Sequence, residues 1–215
     1  LNNIGQISVD MGIYQKISTH PAIALGVSET TLLELTSAYA TFLNDGIKVS
    51  PYGLEKLSLE TGGSFSNRTL SPETNRILRS ETAHSIVYML EKAVSNGTGK
   101  KAKFSNWEIA GKTGTTQDAR DAWFIGFTSE YIAGVWMGYD NNKPLTGVTG
   151  GGLPAEIWSL IMNKIHTDIE PQPLPKNKRK LALFPNIINS DYQPQIRKQG
   201  AGLIDKLLLT IFGEE

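Results

Sequence analysis

Lys112, Thr113, Gly114 and Thr115 stand in succession within EIAGKTGTTQDARDAWFIGFT, residues 108–128. An ammonium, two hydroxyls on alternate positions and a residue without a side chain suit two quite different tasks. A Gly-Lys-Thr triplet can close a loop around nucleotide phosphates. The same residues drawn out as a strand make a receptor for an extended peptide that ends in a carboxylate.

The phosphate reading fails on spacing. A P-loop places a glycine five positions before Gly111, and Asn106 stands there. Trp107-Glu108-Ile109-Ala110 is strand-like, and Thr113 leads into another glycine and two threonines where a helix should begin. Gly97-Thr98-Gly99-Lys100-Lys101-Ala102 superficially fits a dinucleotide fingerprint, but it follows a helical pattern where the fingerprint must follow a strand. On a strand, Thr113 and Thr115 share one side because alternate side chains do. Gly114 between them lets a ligand backbone lie close. An edge strand with solvated threonines and a lysine that discourages aggregation fits the same residues.

Around this strand the pattern is mixed. Residues of about 31–44 form a helix: Thr31 and Glu34 have capping-box spacing, Leu32, Leu35, Tyr39 and Phe42 recur at helical steps, and Gly46 stops it. The preceding stretch, LNNIGQISVDMGIYQKIS, gives a weak helix. YGLEKLSLETGGSFSN predicts two strands about a Gly62-Gly63 turn, and Ser71-Pro72-Glu73 a helix cap. Ala83, Ile86, Val87, Leu90 and Val94 mark a second helix ended by Gly97 and Gly99. NWEIAGKTGTT, AWFIGFT and YIAGVWMGYD then read as an antiparallel meander, the last two strands joined at Ser129-Glu130. Gly150-Gly151-Gly152 leads into LPAEIWSLIMNKIH, a helix with Ile157, Leu160, Ile161 and Ile165 on one stripe. No βαβ alternation occurs, so the fold class is α/β of the α+β type, an antiparallel sheet packed with helices.

The bulk properties exclude several classes. With 40% hydrophobic and 20% charged residues, the 215-residue chain has a real core. Lys plus Arg equals Asp plus Glu at 21 each, so no overall field points to nucleic acid or an anionic membrane. The absence of cysteine removes disulfides and thiolate metal sites. His20, His84 and His166 have no metal-ligand spacing. No apolar run reaches the roughly 18 residues of a membrane span. The first residues lack a signal-peptide pattern, and because Leu1 is not Met, a signal or anchor upstream is an open expectation. After His166, residues 167–215 carry five of the ten prolines and a basic run at 176–180, which suggests a linker with a short amphipathic tail through Leu203, Leu207, Leu208, Ile211 and Phe212.

GKTGTTQDARDAWFIGFT, followed by AGVWMGYDNN, a Gly-Gly stretch and an EIW-containing helix, resembles the transpeptidase domain of penicillin-binding proteins, the bifunctional glycosyltransferase-linked (class A) group above all. Ala22-Ile23-Ala24-Leu25-Gly26, TLLELTSAYATFLNDG and Ser95-Asn96-Gly97-Thr98-Gly99 carry the resemblance further, over roughly residues 21–166. That family builds one site from a serine nucleophile in Ser-x-x-Lys, a second Ser-x-Asn and a Lys-Thr-Gly strand. The resemblance implies that Lys112 supplies positive charge and orients proton transfer. Thr113 and Thr115 would hold the carboxylate of the peptide donor or of a β-lactam, with Gly114 keeping the strand open. The Thr115 N–H would be half of an oxyanion hole. Asp118, Arg120 and Asp121 would have a structural ion-pair role, while Trp123 and Trp136 would be packing residues.

No serine in the chain is followed by lysine three positions on or by asparagine two positions on. Leu1-Asn2 fits the end of a Ser-Leu-Asn, although it lies close to Lys112 for that. The expectation is therefore the C-terminal portion of a peptidoglycan D,D-transpeptidase, incomplete on its N-terminal side and silent alone. A non-enzymatic fragment or decayed gene product that at most binds peptidoglycan stem peptides is the alternative. Residues 1–166 would belong to the transpeptidase domain. The partners implied are D-Ala-D-Ala stem peptides and β-lactams, with no cofactor, metal or nucleic acid. The complete protein would be periplasmic or work at the extracytoplasmic face of the inner membrane, held by an upstream anchor.

Overall fold

The computed structural model describes residues 2–176 except 16, 18, 19, 27, 55, 59, 63 and 67–73. It comprises two compact units, Leu1–Ala83 and His84–Glu215.

In the first unit, α1 (Asn2–Asp10) precedes a 3-10 turn (Pro21–Leu25) whose start is capped by the His20 ring, which accepts from Ala22 N. The predicted helix α2 spans Leu32–Leu43 and opens with a complete capping box between Thr31 and Glu34. It ends as expected: Gly46, at φ 81°, donates its N–H to Thr41 O at 2.8 Å. The best-buried positions of α2 are Ala38, Ala40 and Thr41 rather than the larger residues, because small side chains let neighbouring backbone approach closely. Tyr39 and Phe42 meet edge to face at 5.5 Å. The strands β1 (Lys56–Ser58) and β2 (Ser64–Ser66) pair antiparallel. Of the expected Gly62-Gly63 turn, Gly62 has φ 91° and Gly63 lies outside the described residues. The expected cap at residues 71–73 lies outside the described residues. Arg76 and Asp45 form an ion pair at 3.1 Å. Helix α3 (Ser80–Ser95) crosses the boundary between the units and buries Ala83, Val87, Leu90 and Val94, the face read from its periodicity.

The second unit is built on a three-stranded antiparallel sheet in the order β3 (Ala110–Thr115), β4 (Asp121–Phe127) and β5 (Ile132–Gly138). β3 begins at Ala110 rather than Asn106. Ala110 pairs with Phe127, and beyond it β4 turns into β5, where Thr128 N donates to Tyr131 O. The segment before Ala110 thus has no partner strand there, and Trp107 and Ile109 pack into the core instead.

Helix α4 (Leu153–Ile165) covers one face of this sheet. The stripe marked by Ile157, Leu160, Ile161 and Ile165 is not the one that packs on the sheet. Ala155, Trp158 and Met162 are fully buried, while Leu160 and Ile161 keep 72% and 47% of their surface exposed. Both stripes are apolar at helical spacing, and the bulk of Trp158 decides between them. Its ring meets Phe124 of β4 edge to face at 5.2 Å, and its Nε1 donates to Ala133 O at 3.0 Å. Val94, Phe104, Trp107 and Ile109 close the same core.

His166, just past α4, is buried as a packing residue. Its Nδ1 lies 2.6 Å from Met162 O and its Nε2 2.9 Å from Thr128 Oγ1, among Phe104, Trp107 and Tyr131. Residues 167–176 contain no helix or strand, and they are anchored: Leu174 is buried, and Glu108 binds Leu174 N and Lys176 Nζ. The basic run beyond Lys176 and the amphipathic tail lie outside the described residues. Among the described residues no helix is long and apolar enough to cross a membrane, and no group of His, Asp or Glu could hold a metal.

Candidate active-site strand

β3 is an edge strand, so one side of its backbone faces β4 and the other is open among the described residues. The register says which groups are open. Thr116 N donates to Asp121 O at 3.0 Å, and along an antiparallel pair the bonded positions alternate. Gly114 and Lys112 therefore direct their backbone toward β4. Thr113 and Thr115 direct theirs to the open edge.

Side chains alternate as well. Thr113 lies opposite Phe124, so the two threonines project from the sheet face that α4 covers, and Lys112 and Gly114 project from the other. Lys112 curls back to the edge, where its Nζ donates to Thr113 O at 2.8 Å. Its side chain is accessible, yet protein atoms crowd the ammonium, and this desolvation holds its pKa below the usual lysine range. A charge, the backbone N–H that Thr115 directs to the open edge and two hydroxyls thus lie along a single strand. That is the arrangement expected for gripping a carboxylate and polarising a carbonyl.

Two segments not counted among the candidate site residues hold the strand. Thr98, in the turn after α3, places its hydroxyl 2.8 Å from Thr113 Oγ1. Gly150 donates its N–H to Thr115 Oγ1 at 3.0 Å. A Cβ on Gly150 would lie 2.4 Å from Gly114 O and from Trp123 O, so only a glycine lets this loop cross the sheet there. Both segments were visible in the sequence, one as a turn and one as a helix lead-in. Their contact with β3 was not.

The turn after β3 bears out part of its expected role. Arg120 pairs with Asp118 at 3.6 Å and donates to Asn142 O. Asp121 bonds Thr116 Oγ1 and Trp136 Nε1 instead of a cation. Trp123 and Trp136 pack on each other at 6.2 Å, as packing residues do.

The sequence model of the penicillin binding protein transpeptidase domain matches residues 6–163. The chain belongs to this family. Penicillin-binding protein 1A of Aquifex aeolicus is 38% identical over 151 residues, covering 70% of this chain and 20% of the relative. Penicillin-binding protein 1B of Vibrio cholerae is 32% identical over 155 residues, with 68% of this chain and 20% of the relative covered. The chain therefore spans about a fifth of such relatives. Among solved structures, penicillin-binding protein PonA1 from Mycobacterium tuberculosis superposes with a TM-score of 0.73 at 23% identity, over 81% of this chain and 53% of that one. Penicillin-Binding Protein 1A from Haemophilus influenzae gives 0.65 at 27% identity, over 77% and 31%. The shared fold is the penicillin-binding transpeptidase fold, helices around an antiparallel sheet.

Proposed function

We propose that this chain is part of a serine-type D,D-transpeptidase that cross-links peptidoglycan, and that β3 is the wall of its acyl-transfer site. The observation that carries the reading is the open edge of β3, where the Lys112 ammonium and the backbone of Thr113 and Thr115 converge. Residues 1–166 then belong to the transpeptidase domain, and 167–215 form a basic, proline-rich extension.

In the reaction, a serine hydroxyl attacks the penultimate D-Ala carbonyl, the Thr115 N–H stabilises the oxyanion, and D-Ala leaves with a proton. The amine of a neighbouring stem peptide then attacks the carbonyl of the acyl-serine ester and forms the cross-linking amide, while the serine oxygen leaves and takes back the proton that the amine gives up. Lys112 contributes charge and a donor where the proton moves, while Thr113 and Thr115 hold the terminal carboxylate. No cofactor takes part. Since the sequence has neither Ser-x-x-Lys nor Ser-x-Asn, the nucleophile comes from outside these residues. The chain alone is silent and at most binds stem peptides or β-lactams. The working protein acts at the extracytoplasmic face of the inner membrane, anchored upstream.

The test joins this chain to the nucleophile-bearing segment of the family and measures acylation by a labelled penicillin. Lys112→Ala slows acylation by about 10²–10³, the range for one lost electrostatic or proton-transfer element. Thr113→Val has a smaller effect, mainly on carboxylate-bearing donors. An unchanged rate for Lys112→Ala sinks the assignment and leaves β3 a plain edge strand. The 215-residue chain alone forms no adduct that survives denaturation.

A further inference from the structure

The geometry points to Thr98 as a positioning residue, one that sets the hydroxyl of Thr113 so that its hydrogen is offered to an anionic ligand. This rests on the reading of Thr113 and Thr115 as the carboxylate-binding hydroxyls. A threonine hydroxyl has one hydrogen and two acceptor positions, and it binds an anion only by giving that hydrogen. At Thr115 the matter is fixed by the backbone. Gly150 N–H occupies an acceptor position at 3.0 Å, which leaves the hydrogen of Thr115 free to point elsewhere.

At Thr113 the partner is another hydroxyl, Thr98 Oγ1 at 2.8 Å, and either oxygen can be the donor. Once a carboxylate takes the hydrogen of Thr113, the bond to Thr98 survives only if Thr98 is the donor. Thr98 then does for Thr113 what Gly150 does for Thr115. A hydroxyl whose oxygen already accepts a hydrogen bond is also the stronger donor, because chains of hydrogen bonds polarise one another.

The support around Thr98 is fixed in place. A Cβ on Gly151 would lie 2.3 Å from Thr98 O and 3.5 Å from Thr113 Cγ2, so the glycine loop packs directly against both threonines. Gly99, the next residue, donates its N–H to Ala93 O at 2.9 Å and is buried. Thr98 therefore presents its hydroxyl from a braced turn, and removing that hydroxyl alters orientation at Thr113 without removing the packing.

The experiment uses the chain joined to the nucleophile-bearing segment, with a penicillin and its carboxylate methyl ester as paired probes. Thr98→Val keeps the shape and deletes the donor. The expected result is that the concentration of acid giving half-maximal acylation rises about ten-fold, near the lower end of what a hydrogen bond to a charged group contributes. The limiting acylation rate and the response to the ester stay within about two-fold, since uniform binding is what is lost. Thr98→Ser restores the wild-type response to the acid. Equal losses for acid and ester, or no loss for either, overturn the proposal. Thr113→Val is the companion measurement. If it separates acid from ester while Thr98→Val does not, the positioning role falls and the site reading stands. If Thr113→Val fails to separate them, both fall.

Discussion

Replacing Gly150 with alanine sets a methyl group 2.4 Å from two carbonyl oxygens, Gly114 O and Trp123 O, and 2.8 Å from Gly114 N. Comfortable contact for a carbon is about 3.5 Å, so loop and sheet must part by about 1 Å. None of the three atoms is on a side chain that could turn away. Gly150 N to Thr115 Oγ1, 3.0 Å in the native structure, would open beyond the reach of a hydrogen bond. Overpacking of this kind costs about 1–3 kcal/mol, and the lost bond about 0.5–1.5 kcal/mol more. Each kcal/mol lowers the Tm of a chain this size by about 2–4 °C. Urea denaturation measures the loss directly. Gly53→Ala is the control, since a Cβ there has no neighbour within 4 Å. If Gly150→Ala stays within about 0.5 kcal/mol of wild type, as an ordinary surface substitution does, the glycine loop does not lie across β3 and the bracing argument fails.

Three further outcomes are expected. Desolvation lowers the pKa of Lys112 in the folded state, so between that value and the ordinary lysine range the unfolded chain binds more protons and stability rises with pH. The deficit of wild type relative to Lys112→Met therefore shrinks as pH rises toward 10.5, and thermal melts of the two as a function of pH would show a constant gap if the ammonium were fully solvated. Thr128→Val leaves the buried His166 Nε2 without its hydroxyl partner, and should cost about 1–3 kcal/mol for one buried unpaired group, measured by urea denaturation. The exposed stripe of α4 promotes association, so Leu160→Glu with Ile161→Glu lowers self-association in sedimentation and binding of a hydrophobic dye. Unchanged sedimentation and dye uptake would place the apolar surface elsewhere.

Local chemistry was legible in the sequence wherever it acts within a few residues. Thr31 and Glu34 announce their helix because each satisfies a backbone group three positions away. The meander was legible because β-branched and aromatic runs are separated by short polar turns, and Lys112, Thr113, Gly114 and Thr115 do lie on its edge. The buried face of α4 was not. Helical periodicity yields two apolar stripes there, and only the partner across the core, Phe124 against Trp158, selects one. Thr98 and Gly150 escaped for a related reason. They reach Thr113 and Thr115 across 15 and 35 residues, and a distance of that kind leaves no spacing to recognise.

Phe124 lies in a slot made by missing side chains. A Cβ on Gly111 would come within 2.6 Å of its Cζ, one on Gly126 within 2.8 Å of its Cε1, and one on Gly99 within 3.3 Å of its Cε2. A phenyl ring so enclosed can turn over only when the surrounding backbone momentarily separates, which moves its rotation from the fast motions of surface side chains toward the slow, collective range. The ring becomes an internal clock for the breathing of the sheet. Gly99, one of the three glycines around the ring, adjoins Thr98, whose hydroxyl touches Thr113. The two-fold averaging of the Phe124 ring resonances would report, from inside the core, how often the packing around this ring opens.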